Sequence, residues 1–344
     1  MTKNATTTMK VAQVPYAGGD IQIVEREIPQ PNAGHVRIKV QACGVCHSDV
    51  FVKDGLWPGG IQYPRVPGHE VVGIIDELGT GVSGWTKGQR VGVGWHGGHD
   101  SSCTPCRRGD FGNCQSRKIP GISYDGGYQE YMIAPVEALA VMPESLKAAE
   151  AAPLLCAGLT TFNALRYSGA FPGDLVAMLG IGGLGHLAIQ FASKFGYRTV
   201  AIGLGPDDAE LAKKLGATLY IDSGATNAAE ELQKLGGAKV IVATAPSSKA
   251  MSQVFNGLGT NGKLIVVGVD IKPIEITPLQ LIDQIRTIKG WSTGVPIEAE
   301  DTLRFSELSG VRPMIETFSL DKAAEAYAHM KSGKAKYRVV LTME

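Results

Sequence analysis

No apolar stretch of this sequence approaches the roughly 20 uncharged residues that span a bilayer. The first ten residues, Met1 to Lys10, are polar and threonine-rich, without the apolar core of a secretory signal. A membrane partner is therefore not expected, and a soluble, cytoplasmic protein is. Surplus charge is also missing, because 33 Lys and Arg balance 33 Asp and Glu. That leaves no electrostatic reason to expect nucleic acid or an anionic surface as a partner. Internal repeats and low-complexity linkers are absent. Cysteine is sparse, at six, and in such a chain these read as metal ligands or core thiols rather than disulfides.

Glycine, by contrast, is abundant at 44 of 344 residues, well above the usual share of about 7%. Many tight turns and close backbone approaches should follow. The length exceeds what one ordinary core organises, so two domains are expected.

The first part reads as short strands broken by turns at Gly18-Gly19, Pro29 to Asn32, Gly59-Gly60 and Gly79 to Gly84. His35 to Val40 and Val71 to Leu78 are its best strand candidates. Near Ala148 the character changes. Ala148 to Ala152 and Thr160 to Tyr167 read as helical, and a strand–helix alternation begins. Its strands are Leu175 to Leu179, Arg198 to Ile202, Tyr220-Ile221, Val240 to Ala243 and Lys263 to Val269. His186 to Phe195, Asp207 to Leu215 and Glu230 to Leu235 are the helices between them. This alternation implies βαβ units and a parallel sheet. A helix at Asp321 to Ser332 and a strand at Tyr337 to Leu341 end the chain.

Between a strand and a helix of that series lies Gly180-Ile181-Gly182-Gly183-Leu184-Gly185. In this setting the glycine spacing is a dinucleotide signal. The first glycine makes a tight turn, the second lets the backbone approach a pyrophosphate, and the third lets helix pack on strand. The helix N-terminus then faces the phosphates.

Cysteine and histidine fall into two groups. Cys103-x-x-Cys106 followed by Cys114 suits a closed zinc knuckle, whose fourth ligand is Asp100 or His99. Asp100 continues the three-residue spacing. Three reduced surface thiols without metal are the plain alternative. The second group is scattered: Cys46-His47, His69-Glu70 and the distant Cys156. Two thiolates and one imidazole leave a fourth zinc position open for water or substrate. Cys43 reads as a packed thiol, although Cys43-x-x-Cys46 also has redox-pair spacing.

Together, Cys43 to Asp49, Gly68-His69-Glu70, Trp95 to Cys114, Leu155 to Gly158 and Gly180 to Gly185 resemble the medium-chain zinc alcohol dehydrogenases, especially the tetrameric microbial ones. The resemblance runs from about Met9 to the C-terminus. It implies an α/β architecture with a doubly wound Rossmann sheet beside a β-rich, GroES-like catalytic domain. The catalytic domain would comprise 1–157 and 294–344, and the dinucleotide-binding domain 158–293. Cys46, His69 and Cys156 would hold a catalytic zinc, with Glu70 near enough to visit it. Asp49 would fix the His69 tautomer, and Ser48 would take the alcohol proton. His47 and Arg338 would contact the pyrophosphate, Thr160 would pack on the nicotinamide, and Gly203, Leu204, Val267 and Val269 would complete the coenzyme contacts. Trp57 and Trp95 would wall an apolar substrate pocket or pack in the core. Expected are two zinc ions per chain, NAD slightly preferred over NADP, a small alcohol, aldehyde or ketone as substrate, and a homotetramer.

Three positions depart from the family pattern. Phe51 stands where a His commonly follows the relay hydroxyl, Asp100 stands for the first knuckle cysteine, and Gly203 for the acid after the second Rossmann strand. Gly203 alone opens the site to NADP, yet Leu204 to Asp208 offer no basic residue. Asp207 and Asp208 either repel a 2′-phosphate or cap the next helix. Two rival functions remain at this level: a zinc-free quinone or enoyl reductase of the same fold, and a nucleotide-binding redox sensor.

Overall fold

The computed structural model describes residues 7–343; positions 1–6, which hold most of the threonine-rich start of the chain, and position 344 lie outside the described residues. In chain order the strands are β1 (Thr8–Gln13), β2 (Gln22–Glu27), β3 (His35–Val45), β4 (Val71–Leu78), β5 (Arg90–Val93), β6 (Tyr131–Pro135) and β7 (Leu139–Val141). They continue with β8 (Leu175–Leu179), β9 (Arg198–Gly203), β10 (Leu219–Asp222), β11 (Ala238–Ala243), β12 (Leu258–Val266), β13 (Thr287–Gly290), β14 (Ile315–Ser319) and β15 (Arg338–Thr342). Contacts divide the chain into two units, Met1–Cys156 with Gly294–Glu344, and Ala157–Thr293.

The first unit is built on a mixed sheet in the order β14-β15-β3-β4-β5-β7, with β6 also paired to β3. β3 begins as an alternating strand, with Val36, Ile38 and Val40 buried and Lys39 exposed. From Ala42 to Val45 every residue is buried; β15 pairs with one edge of this stretch, and β4 with the other as far as Cys43. Its core joins Val36, Ile38, Val71, Ile75, Val91, Val93, Tyr128 and Met132. Such a fully closed strand holds its last residue rigidly, and that residue leads directly into Cys46.

The second unit is a six-stranded parallel sheet, β10-β9-β8-β11-β12-β13. β8 is buried along its whole length, as a central parallel strand covered on both faces should be. The helices Gly185–Lys194 and Ala157–Arg166 pack on each other through Phe162 and Phe191, whose ring centroids are 5.4 Å apart. This unit is the doubly wound sheet expected from the strand–helix alternation.

Several elements differ from the sequence reading. The strand expected at Lys263 to Val269 starts at Leu258 and ends at Val266. Val267 and Gly268 donate their N–H groups to the Ala243 carbonyl at 3.1 and 2.9 Å, which turns the chain across the end of β11. Val267 and Val269 therefore lie in a loop. The helix expected at Asp207 to Leu215 spans Ala209–Lys214, and the last helix spans Ala323–Lys331 after a 3-10 turn. A 14-residue helix, Pro296–Ser309, had no apolar stripe to announce it, since it buries only Ala299, Thr302, Leu303 and Ser306. Among the described residues no helix is long and apolar enough to cross a membrane.

Candidate metal centres and coenzyme turn

Cys46 leaves β3 into a tight turn that its own neighbours close. Its N–H donates to Asp49 Oδ2 at 2.9 Å, and its carbonyl accepts the Asp49 N–H at 3.0 Å. His69 and Glu70 immediately precede β4, and Cys156 follows the 3-10 turn Ala152–Leu155. The donor atoms of Cys46, His69, Glu70 and Cys156 all lie within 4.8 Å of one another.

The orientation of His69 is set from behind. Its Nδ1 lies 3.3 Å from Asp49 Oδ1, an ion-pair contact, while Asp49 Oδ2 accepts from the Tyr128 hydroxyl at 2.8 Å. That leaves His69 Nε2 facing the cluster, buried and without a hydrogen-bond partner. An unpaired buried polar group costs about 1–3 kcal/mol, a cost that a bound cation removes. Glu70 Oε2 is orphaned in the same way. The donor set and this empty valence fit a zinc ion.

The charges are arranged to match. A hydrogen bond from the Cys156 thiol, helped by His69, holds Cys46 well below the ordinary thiol range against its burial. The same contact, with burial, pushes Cys156 up. Burial opposes charge on His69, but Asp49 and Cys46 outweigh it and raise the imidazole well above its usual range. Glu70 is fully buried, which pushes its carboxyl up to about 7 against the pull of Arg338. Arg338 Nη2 donates to Glu70 Oε1. With 5% exposure, Arg338 is a buried counter-ion. Glycine is required at 44, because a Cβ there would stand 2.8 Å from Glu70 Cδ.

Aromatic rings line up beside this cluster. Trp95 meets the His69 ring edge-on at 4.8 Å, Trp57 lies 6.0 Å from Trp95, and Phe51 lies 5.7 Å from Trp57. Ser48 is half-buried and His47 exposed on the short 3-10 turn between Cys46 and Val50. Cys43 is buried in the core and is no part of the cluster.

The second cluster joins Asp100, Cys103, Cys106 and Cys114, again within 4.8 Å of one another. Backbone N–H groups point at its acceptors. Asp100 Oδ1 accepts from Ser102 and Cys103 at 2.9 Å each, and Cys114 Sγ accepts from Asp100 and Ser116 at 3.4 and 3.3 Å. The N–H groups of Cys103 and Ser102 hold the Asp100 carboxyl well below the usual range. Those of Cys106 and Gln115 lower the Cys103 thiol. His99 is turned elsewhere, tilted against Phe111 with ring centroids 4.3 Å apart and with Nδ1 3.0 Å from His96 Nε2.

In the other unit, Gly180 follows β8 with φ +99° and the helix begins at Gly185. A Cβ on Gly182 would meet nothing within 4 Å, so the turn is open there. A Cβ on Gly185 would press on the Gly180 carbonyl, with its carbon at 2.8 Å. Gly183 and Leu184 complete the turn, with Leu184 at the helix cap. Thr160 is buried in the helix Ala157–Arg166. Gly203 ends β9, and Leu204 after it is 82% exposed. Asp208 occupies the cap of the following helix without a side-chain capping bond.

Tyr128 is the residue that sequence reasoning missed. It is 79 positions from Asp49, and nothing in Gly126-Gly127-Tyr128 marks the pairing.

Two family models match the chain: the alcohol dehydrogenase GroES-like domain over residues 32–144, and the zinc-binding dehydrogenase over residues 183–307. The alcohol dehydrogenase patD of Penicillium expansum is 42% identical over 343 residues, covering 100% of both chains. An alcohol dehydrogenase of Geobacillus stearothermophilus is 36% identical over 340 residues, covering 98% of this chain and 99% of its own. Among solved structures, one described as an NAD-dependent alcohol dehydrogenase superposes with a TM-score of 0.90 at 25% identity, covering 98% of this chain and 100% of its own.

Proposed function

Since the chain belongs to the zinc-type medium-chain alcohol dehydrogenases, and so is an oxidoreductase of alcohols, we propose that it interconverts small primary or secondary alcohols with their aldehydes or ketones using two zinc ions and NAD. The observation that carries the metal assignment is the buried, unpartnered Nε2 of His69 among Cys46, Cys156 and Glu70. Cys46, His69 and Cys156 are assigned to the catalytic zinc. Asp100, Cys103, Cys106 and Cys114 are assigned to the structural one. The sides that His99 presents to His96 and Phe111 favour Asp100 as the fourth ligand.

When bound, catalytic zinc supplies the Lewis acidity that lets an alcohol lose its proton near neutral pH. NAD supplies the hydride acceptor. The chain's own residues supply the rest. Asp49 holds His69 in the tautomer with the proton on Nδ1. Ser48 accepts the substrate proton. Trp57 and Trp95 exclude water from one side of the metal ligands. Arg338 neutralises Glu70, which would otherwise add an uncompensated buried charge beside the two thiolates. Gly180, Gly182, Gly183, Leu184 and Gly185 are assigned to the pyrophosphate. The openness at Gly182 supports this. Residues 1–157 with 294–344 are assigned as the catalytic domain and 158–293 as the coenzyme domain. The division of contacts after Cys156 and after Thr293 supports that assignment.

A homotetramer is proposed as the working assembly. The sheet edge β13 is exposed throughout, beside Leu279, Ile282 and Ile285, each at least 70% exposed. An unpaired, apolar sheet edge is a self-association surface. A reducing, cytoplasmic compartment is proposed because all six cysteines are unpaired and five of the seven assigned metal ligands are thiols that must stay reduced.

The test combines metal analysis with one variant. Two zinc ions per chain, and loss of one of them with turnover in Cys46→Ala while NAD binding persists, support the reading. One zinc per chain in the wild type, or a fully active Cys46→Ala, overturns it.

A further inference from the structure

The acid that usually reads the adenosine ribose at the end of the second Rossmann strand is absent, and the structure shows why it cannot simply be put back. A Cβ on Gly203 would stand 3.0 Å from Cε2 and Cζ of Tyr220 and closer still to its hydroxyl. The carbon contacts are tighter than nine in ten that real Cβ atoms make, and the contact with the hydroxyl is one they essentially never make, so the ring would have to shift. Tyr220 is anchored there, because its hydroxyl donates to the Gly205 carbonyl. The aromatic ring from β10 fills the space where a side chain at 203 would begin.

A carboxylate stands one strand away. In the parallel pairing of β9 with β10, Asp222 is the register partner of Gly203. Asp222 Oδ1 accepts the N–H groups of Gly205 and Gly224, both at 2.8 Å, which fixes the side chain beneath the 203–205 loop. Asp222 Oδ2 has no hydrogen-bond partner among the described residues, and the residue is half-buried. We propose that Asp222 is this chain's ribose-reading acid, supplied from the neighbouring strand, with Oδ2 free to accept the 2′-hydroxyl and to repel a 2′-phosphate. Its surroundings agree. Burial raises the Tyr220 hydroxyl, and Asp208, Asp222 and Asp207 raise it further, so three carboxylates surround the loop. This inference rests on the NAD reading above and gives it a residue.

The competing role for Asp222 is a brace for the loop. Asn separates the two, because it keeps an acceptor oxygen for both N–H groups and loses only the charge. The probes are ADP-ribose and 2′-phospho-ADP-ribose, titrated calorimetrically into the zinc-loaded enzyme, so that the readout is binding and not turnover. Wild type should bind ADP-ribose more tightly. In Asp222→Asn the ratio of the two dissociation constants should fall roughly tenfold or more, the scale of one charged hydrogen bond, with thermal stability retained. In the Asp222→Asn background, Gly203→Asp combined with Tyr220→Ala should return the ratio toward wild type. Gly203→Asp alone should lower Tm without doing so.

A wild type that binds the 2′-phosphorylated probe more tightly overturns the NAD reading and this inference with it. A wild type that prefers ADP-ribose, with the ratio unchanged in Asp222→Asn, overturns the inference alone and leaves Asp222 as a brace. Full stability and restored discrimination in Gly203→Asp without the Tyr220 change would show that Tyr220 does not exclude an acid at 203.

Discussion

The hydroxyl of Tyr128 donates to Asp49 Oδ2 at 2.8 Å, and Asp49 Oδ1 lies 3.3 Å from His69 Nδ1 as its ion-pair partner. The phenol thus holds the carboxylate that holds the imidazole. Partners of this kind cost about 10–100-fold in metal affinity or activity when removed. Tyr128→Phe should therefore weaken zinc binding at the Cys46 site within that range while leaving the second zinc in place. Competition with a chelator, read by metal analysis, checks it. Unchanged release of both metals would show that Asp49 is held sufficiently by the Cys46 N–H.

The knuckle gives a second expectation. A carboxylate is a harder and weaker partner for zinc than a thiolate. Asp100→Cys should hold the structural zinc more tightly and raise Tm by roughly 2–4 °C for each 1 kcal/mol gained. Asp100→Ala should do the reverse, and should also free the Cys103 and Ser102 N–H groups. Differential scanning calorimetry with metal analysis checks both. Indifference of Tm and zinc content to Asp100→Ala would return the fourth position to His99 or water.

Phe51 bears on proton exit. A phenyl ring cannot carry a proton, so Ser48 must release it by another route. Phe51→His should raise the rate of alcohol oxidation near neutral pH if proton release limits it, adding a limb near the imidazole range of about 6.5. The kcat profile against pH checks this. An unchanged profile would place the limit at hydride transfer or coenzyme release. The same substitution removes the ring 5.7 Å from Trp57, so KM for bulky alcohols should also shift.

Asp270 offers a stability test that depends on pH. Its carboxylate accepts N–H groups from Ser248 at 2.8 Å and Lys272 at 3.2 Å, which ties the loop after β12 to the helix Ser248–Val254. The Ser248 N–H first, then that of Lys272, lowers its pKa below the ordinary 3.8. A depressed carboxylate contributes stability above its unfolded value and loses it as pH falls below. Asp270→Asn should therefore be less stable than wild type at pH 7, and the gap should close toward pH 3. Urea midpoints at both pH values check it.

The local patterns that were legible are those in which neighbours in sequence are neighbours in space. Val71 to Leu78 reads as a strand and forms β4 over those same residues, and the turn Gly180 to Gly185 lies between strand and helix as its spacing requires. The strand read at Lys263 to Val269 begins five residues earlier, because β12 continues through Asn261 at φ 56°. Pairings over long separations left no local mark. Arg338 and Glu70 are 268 positions apart, and a lone Arg before a terminal strand looks like any surface cation. The Tyr220 ring against Gly203 and the pairing of Gly203 with Asp222 were hidden for the same reason, since parallel register is set by the whole sheet and not by any one residue.

The placement of β15 has a consequence for how the molecule is made. This strand lies inside the first unit's sheet, between β14 and β3, and its first residue is Arg338. Domains tend to fold as units while the chain emerges from the ribosome. The continuous unit Ala157–Thr293 can therefore close before the strand beside Cys43 and Gly44 has been synthesised. Until β15 docks, β3 offers an open edge and Glu70 lacks its cation, with the thiols of Cys46 and Cys156 nearby. During that interval a nascent chain is most exposed to strand exchange with a second copy and to thiol oxidation. Zinc taken up early by Cys46, His69 and Cys156 would protect the thiols but not the edge.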